Sequence, residues 1–149
     1  MELNLADAKK GNVIEKYSIK LLYEDDNIHV MFIVRQMAAK AGFTNTEGIL
    51  IATAASELAT NILRYAHKGE MMVSIIHSSD HDYTGIELLA NDEGPGIKNI
   101  ELAMQEQYSS LPNSLGLGLP SVKRMMDEFF IVLVLGKGTQ VLARRWNRI

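Results

Sequence analysis

The spacing of apolar residues along the chain predicts first a strand and then two helices. Over 13–23 apolar and polar residues partly alternate and β-branched residues are frequent, which predicts a β-strand. From 26 to 41 apolar residues recur every three or four positions, which predicts a helix followed by Gly42. Thr44 and Glu47 have the spacing of a capping box, so a second helix is predicted to begin there. Its apolar stripe consists of Ile51, Ala55, Leu58, Ile62 and Tyr65.

The second half of the chain predicts two hairpins with a loop and a helix between them. Strands are predicted over 71–77 and 83–91, joined by the polar turn 78–82, and over 129–135 and 139–145, joined by the turn Gly136-Lys137-Gly138. The segments between the hairpins are predicted as a glycine-rich loop at 92–97, a short helix over 100–105, a loop at 107–118 and a helix over 119–128. This order predicts an α/β fold, a two-layer sandwich whose mixed, mostly antiparallel sheet is covered by helices on one face.

Length, charge and composition limit the class of protein. The chain has 149 residues, no cysteine and a formal net charge of -3, which fits one domain without disulfides or thiolate zinc sites. We expect a flexible N-terminal tail over 1–12 and one folded domain over 13–149. No apolar run reaches the roughly 20 residues of a membrane-spanning helix, and no signal peptide is evident, so we expect a cytoplasmic protein. The mild acidity disfavours nucleic-acid binding, and Arg144, Arg145 and Arg148 are interpreted as a solvated strand edge and tail in preference to a nucleic-acid patch.

Two segments carry carboxylates beside other polar or flexible residues. Glu57 and Asn61 are four positions apart and therefore project from one helix face, where an acid can accept a proton and an amide oxygen can bind a cation. Asp92 directly follows an apolar strand and precedes Gly94 and Gly96. A carboxylate there can accept a hydrogen bond from an exocyclic amino group, and the glycines allow a ligand to approach the backbone. Taken alone, the Glu57 and Asn61 pair is better explained as a polar stripe on a half-exposed helix, whereas the Asp92 segment fits a simple tight turn and a ligand site equally well.

Two further segments are rich in glycine. Gly116 and Gly118 open a predicted helix, and the N-terminus of a helix favours phosphate. Thr139 follows the hairpin turn Gly136-Lys137-Gly138. The chain contains no P-loop sequence, and neither glycine segment by itself indicates more than a turn.

The order of these four segments is more informative than any one of them. Over 26–146 it resembles the N, G1, G2 and G3 boxes of the GHKL ATPase superfamily, which implies the Bergerat ATP-binding fold. The stretches SELATNILRYA, NDEGPGI, LGLGLPSVKRMMDEF and GTQVLARRW resemble bacterial switch-protein serine kinases, most closely the RsbT type. The resemblance implies an ATP-dependent serine kinase of a stressosome-like partner-switching pathway. Its substrate would be a STAS-domain antagonist protein, and its second partner a phosphatase or another output protein.

The resemblance also implies a role for each residue, with ATP and magnesium as cofactors. Glu57 would be the general base, Asn61 would bind magnesium between the phosphates, and Asp92 would bind the adenine amino group. The remaining implied contacts involve the adenine pocket (Gly94, Gly96, Thr139), the lid over the phosphates (Gly116, Gly118) and packing beside the nucleotide (Tyr65).

The predicted lid departs from the family pattern. Residues 107–119 contain Pro112 and no lysine or arginine, whereas the RsbT type is richer in glycine and related anti-sigma kinases have a lid arginine. Two alternatives stay open, and the altered lid is the reason for the second. One is an anti-sigma factor kinase that binds a sigma factor directly, and the other is a nucleotide-gated interaction module with little catalysis.

Overall fold

The elements lie close to where the sequence predicts them. The computed structural model describes residues 11–92, 118–134 and 138–148. Its elements are β1 (Asn12–Leu21), α1 (Asp26–Lys40), α2 (Asn45–Asn61), a π-helical turn (Ile62–Ala66), β2 (Gly69–Ser78), β3 (Tyr83–Asp92), α3 (Gly118–Met125), β4 (Glu128–Val134) and β5 (Gly138–Asn147). The helix predicted over 100–105 lies outside the described residues. α3 ends three residues earlier than predicted, because the chain already joins the sheet at Asp127, whose backbone N–H donates to the carbonyl of Arg144.

The five strands form one sheet in the order β1-β2-β3-β5-β4. Every strand pairing in the described ranges is antiparallel. Alternate residues of the central strands point to one face, and there they are buried against α1, α2 and α3. The core members from β2 and β3 are Met71, Val73, Ile75, Ile86, Leu88 and Ala90. The predicted two-layer α/β fold is thereby confirmed. No helix in the described part of the chain is long and apolar enough to cross a membrane.

The predicted capping box at the start of α2 is present. The backbone N–H of Glu47 donates to the Thr44 hydroxyl at 3.2 Å, and the backbone N–H of Thr44 donates to the Glu47 carboxylate at 3.1 Å. These bonds satisfy two donors that have no partner inside the helix. α2 carries both Glu57 and Asn61, so its starting point also sets where those side chains lie.

Removing the cap hydroxyl by Thr44→Ala is expected to lower the free energy of unfolding by about 1 kcal/mol. Urea unfolding followed by circular dichroism measures the change. Thr53→Ala is the matched control, because the Thr53 hydroxyl is exposed and bonds only the Ile49 carbonyl one turn earlier, at 2.8 Å. Alanine is the better helix former at that position, so the free energy of unfolding of Thr53→Ala is expected to be unchanged or slightly higher. Equal losses in the two variants would contradict the capping role.

The interpretation of Arg144 as a solvated residue is wrong. Only 1% of Arg144 is exposed, and it lies opposite Glu87 on β3 and Glu128 on β4. Its guanidinium Nε donates to the Glu87 carboxylate at 2.8 Å and its Nη1 to the Glu128 carboxylate at 3.4 Å. The indole N–H of Trp146 also donates to Glu128. Arg144 is therefore the centre of a cross-strand ion network on the sheet face opposite the helices.

Candidate functional site

The C-terminal end of α2 meets the beginning of α3. Glu57 and Asn61 lie one turn apart there and are both half-buried. Gly118 is the first residue of α3, and a Cβ atom placed on it would lie 3.4 Å from the side-chain nitrogen of Asn61 and 3.5 Å from its oxygen. The amide of Asn61 therefore faces the N-terminus of a helix, where backbone N–H groups and the helix dipole favour an anion.

The carboxyl group of Glu57 is electrostatically perturbed. Burial raises its pKa above the ordinary value, and the positive charge of Arg64 opposes that rise only in part. A half-buried carboxylate with a raised pKa is a better proton acceptor than an exposed one. The Glu57 carboxylate can therefore accept a proton from a hydroxyl group that lies against it.

A second part of the site is built where β3 ends and β5 begins. Asp92 is the last residue of β3, and its carboxylate oxygen Oδ1 accepts a hydrogen bond from the backbone N–H of Thr139 at 3.0 Å. Thr139 is buried, and Gly138 precedes it with a φ of 108°. A Cβ atom on Gly138 would overlap the carbonyl oxygen of Asp92 and lie 2.7 Å from Oδ1. The backbone of Thr139 thus orients the carboxylate, and the glycine makes that approach possible.

Gly69 connects these two parts and was missed by the sequence reasoning. It pairs with Asp92 across β2 and β3. A Cβ atom on Gly69 would overlap the carbonyl oxygen of Asn91 and lie 2.7 Å from the Ile62 side chain. The segment that follows Asn61 consequently packs onto the end of β3. The sequence offered only a glycine before a strand, which indicates a helix end and no site.

The π-helical turn after Asn61 changes which side chains face the core. The backbone N–H of His67 donates to the carbonyl of Ile62 at 2.9 Å, five residues earlier, and His67 has a φ of 70°. The wider turn ends the predicted apolar stripe after Ile62, so that 42% of Tyr65 is exposed and Arg64 is also exposed. Single π-helical turns often occur at functional sites.

The structure brings two groups of predicted residues together at one end of the molecule. Glu57, Asn61 and Gly118 form the first group, and Asp92 and Thr139 form the second, joined through the contact of Ile62 with Gly69. The predicted residues Gly94, Gly96 and Gly116 lie outside the described residues.

The donors present fit a magnesium ion that is bound mainly through phosphate. Within the described ranges there is no group of three or more histidine, aspartate or glutamate side chains that could hold a metal by themselves. Mg²⁺ usually keeps several waters and binds one or two protein oxygens together with substrate phosphates. The Asn61 side-chain oxygen, one turn from the Glu57 carboxylate, matches that smaller protein contribution.

Comparison with known proteins identifies the family. The family described as "Histidine kinase-like ATPase domain" matches residues 24–145. The chain is 38% identical over 130 residues to serine/threonine-protein kinase RsbT of Bacillus subtilis (strain 168), covering 87% of this chain and 96% of the relative. It is also 30% identical over 135 residues to the anti-sigma F factor of Clostridium acetobutylicum, covering 87% and 92% of the two chains. The anti-sigma F factor of Caldanaerobacter subterraneus is 32% identical over 111 residues, covering 73% and 77%.

The family match covers the α2 end, the β3 end and the start of α3, where the site lies. The matches confirm the resemblance that the four ordered segments predict. The chain belongs to the histidine kinase-like ATPase domain family, in the group that contains serine/threonine-protein kinase RsbT and the anti-sigma F factors.

Proposed function

We propose that this chain is an ATP-dependent protein serine kinase that phosphorylates a STAS-domain antagonist protein in a partner-switching pathway. The observation that carries the proposal is the meeting of Asn61 with the N-terminus of α3, one turn from the perturbed carboxyl of Glu57. Similarity to RsbT over 96% of that kinase supports the same activity.

The two parts of the site suit the two ends of ATP. At the end of β3, the carboxylate of Asp92 is held by Thr139 and can accept a hydrogen bond from the adenine amino group. At the other part, the N-terminus of α3 and the amide of Asn61 suit the phosphates. When bound there, magnesium supplies charge neutralisation at the phosphate oxygens.

Phosphoryl transfer from ATP then needs one proton acceptor and an aligned serine hydroxyl group. The serine hydroxyl oxygen attacks the γ-phosphorus of ATP, the bond between that phosphorus and the β,γ-bridging oxygen breaks, and ADP leaves. The hydroxyl proton passes to the carboxylate of Glu57, whose raised pKa suits it to that step. Since phosphoryl transfer depends mainly on positioning and charge, these few groups suffice.

The partners follow from the switching role. The unphosphorylated antagonist would bind the kinase, and phosphorylation would release it. The freed kinase would then engage a phosphatase or another output protein in the cytoplasm.

Incubation with γ-labelled ATP, magnesium and each STAS-domain protein of the same genome tests the proposal. We expect label on one serine of one such protein, and none when that serine is replaced by alanine. ATP binding by calorimetry without any transfer to these proteins would contradict kinase activity and support a nucleotide-gated interaction module.

A direct anti-sigma role is the second candidate, since the anti-sigma F factors of Clostridium acetobutylicum and Caldanaerobacter subterraneus are 30% and 32% identical to this chain. The same ATP site would then accompany a tight complex with a sigma factor. Co-purification with a sigma factor, reversed by the unphosphorylated antagonist, would favour this role. Recovery of a phosphatase in place of a sigma factor would favour the partner-switching serine kinase.

Replacing the carboxylate by Asp92→Asn is expected to weaken ATP binding by about 10–100-fold, because a hydrogen bond to a charged acceptor contributes about 1.5–3 kcal/mol. Isothermal titration calorimetry measures the dissociation constant. Asp82→Asn is the matched control, because Asp82 is exposed in the β2–β3 turn and its φ of 56° is one that asparagine tolerates. An unchanged dissociation constant for Asp92→Asn would contradict the adenine role.

A further inference from the structure

β5 connects the two parts of the candidate site. At its beginning, the backbone N–H of Thr139 holds the carboxylate of Asp92. Near its other end, residues 144–146 hold the corner where α3 turns into β4. Thr139 and Arg145 are six residues apart along the strand, about 20 Å. The same strand therefore reaches both the carboxylate at the end of β3 and the far end of the helix whose beginning faces Asn61.

Three hydrogen bonds hold this corner, and together we call them the clasp. The guanidinium Nη1 of Arg145 donates to the carbonyl of Met125 at 2.9 Å. The backbone N–H of Asp127 donates to the carbonyl of Arg144 at 2.8 Å, and the Asp127 carboxylate accepts from the backbone N–H of Trp146, also at 2.8 Å. The clasp thus continues the pairing of β4 with β5 beyond the first residue of β4, toward α3.

Arg145 reaches the helix because of its place in the alternation of the strand. Val141 and Ala143 of β5 lie in the core under the helices, so Arg145, two residues further along, faces the same side of the sheet. Met125 is the last residue of α3, and the last carbonyls of a helix have no partner within it. The guanidinium supplies that partner, and its charge complements the negative end of the helix dipole. Arg145 therefore binds a helix end, which its interpretation as part of a solvated edge did not foresee.

The clasp is placed so that it sets the position of the phosphate end of α3. Met125 and Gly118 are seven residues apart in one helix, about 10.5 Å. Leu119 and Val122 hold α3 against the core through apolar contacts, which are not directional. Hydrogen bonds require a particular distance and angle, so the clasp restrains movement of α3 along and about its axis. Because a short helix moves as a unit, a shift at Met125 also shifts Gly118 relative to Asn61.

We propose that Arg145 is a positioning residue for phosphate binding, and that it acts together with Asp127 by fixing the end of α3 that is remote from the nucleotide. Both side chains act through the helix that carries Gly118 to the amide of Asn61. Misplacing a binding group by about 1 Å can slow a reaction by about 10²-fold, so this restraint affects the site although it lies outside it. The effect on phosphate binding rests on the proposed function, whereas the clasp itself concerns only the position of α3.

The position of α3 can be measured without nucleotide, because the chain contains no cysteine. Thr53→Cys on α2 and Lys123→Cys on α3 place two spin labels at exposed positions, and pulsed electron paramagnetic resonance gives the distribution of distances between them. We expect Arg145→Met and Asp127→Ala each to broaden or shift that distribution. Arg148→Met is the matched control, because Arg148 is exposed beyond the end of β5, and it is expected to leave the distribution unchanged. Unchanged distributions in both clasp variants would overturn the proposal.

Calorimetry with ATP and with adenosine separates the two parts of the site. Arg145→Met is expected to weaken ATP binding by about 3–30-fold, the usual range for coupling between distant groups. Adenosine has no phosphates and depends on the part of the site at Asp92, so its affinity is expected to stay within about two-fold. Arg145→Lys keeps a charged donor for the Met125 carbonyl and is expected to bind ATP within about three-fold of the unsubstituted protein. Circular dichroism at the temperature of the titration checks that each variant is folded.

These measurements distinguish failure of the clasp from failure of the proposed function. Equal losses of ATP and adenosine affinity in Arg145→Met, or a displaced α3 with unchanged ATP binding, would overturn the positioning role. If Arg145→Met does not fold, Asp127→Ala undergoes the same titrations, since Asp127 is exposed. If the unsubstituted chain binds neither ATP nor adenosine, the proposed function and the phosphate role fail together, and the distances between the spin labels still decide whether the clasp fixes α3.

Discussion

Replacing Glu57 by glutamine is expected to slow phosphate transfer by about 10²–10⁴-fold, the usual contribution of a general base. Glutamine has nearly the same shape as glutamate but cannot take the serine proton. The affinity for ATP is expected to stay within about two-fold, since Glu57 acts on the serine and the nucleotide is held elsewhere. Transfer of labelled phosphate under single-turnover conditions, with calorimetry of ATP binding, separates the two effects.

The Glu57→Gln variant is expected to have a higher free energy of unfolding than the unsubstituted protein at neutral pH. Burial raises the pKa of Glu57 in the folded state above its ordinary value of 4.5. The contribution of Glu57 to stability is therefore fully present below that value and is lost as pH rises through the raised folded-state pKa. At pH 7 the folded protein holds a half-buried charge that glutamine removes. The stability gain of Glu57→Gln is expected to disappear when both variants are unfolded below about pH 4.

The rate of phosphoryl transfer by the unsubstituted chain is expected to fall as the pH decreases toward the raised pKa of Glu57, because only the carboxylate accepts a proton. Glu24→Gln is the matched control, since Glu24 is exposed in the β1–α1 connection. It is expected to change neither the rate nor the stability. Full transfer activity in Glu57→Gln would contradict the assignment of Glu57 as the base, whatever its effect on stability.

Features that depend on neighbouring residues could be predicted from the sequence. The capping box of Thr44 and Glu47 needs only a spacing of three, and Glu57 and Asn61 share a helix face because they are four apart. The hairpins followed from apolar segments joined by a polar turn at 78–82 and by the glycine turn at 136–138. These features form locally, so the identity of the residues is enough to predict them.

Features that depend on strand register could not be predicted in this way. Arg144 is buried because the pairing of β5 with β3 and β4 places it between two glutamates that are distant in sequence. Gly69 is required because a helix end packs on it, and the π-helical turn after Asn61 leaves no sign in the apolar spacing. The bond between Thr139 and Asp92 joins residues 47 positions apart, and only the family resemblance suggested that they act together.

That bond makes Gly138 a sensitive position. Gly138→Ala is expected to lower the free energy of unfolding by about 2–5 kcal/mol, combining a left-handed backbone that L-residues disfavour with a steric overlap. The φ at this residue is 108°, and the added Cβ would overlap the carbonyl oxygen of Asp92. Relief of the overlap must move either β5 or Asp92, so ATP affinity is expected to fall as well. Urea unfolding and calorimetry at a temperature where the variant is folded measure the two losses.

Gly48→Ala provides the matched control, because it adds the same methyl group inside α2. There the new Cβ would lie 3.7 Å from Cβ of Ala38, an ordinary contact. Alanine is a better helix former than glycine, so the free energy of unfolding is expected to rise by up to about 1 kcal/mol, with ATP binding unchanged. If the free energy of unfolding falls in Gly138→Ala and rises in Gly48→Ala, the approach of β5 to Asp92 requires a residue without a side chain. A Gly138→Ala variant with parental stability and ATP affinity would show that the end of β3 is free to shift and that Thr139 does not fix the carboxylate.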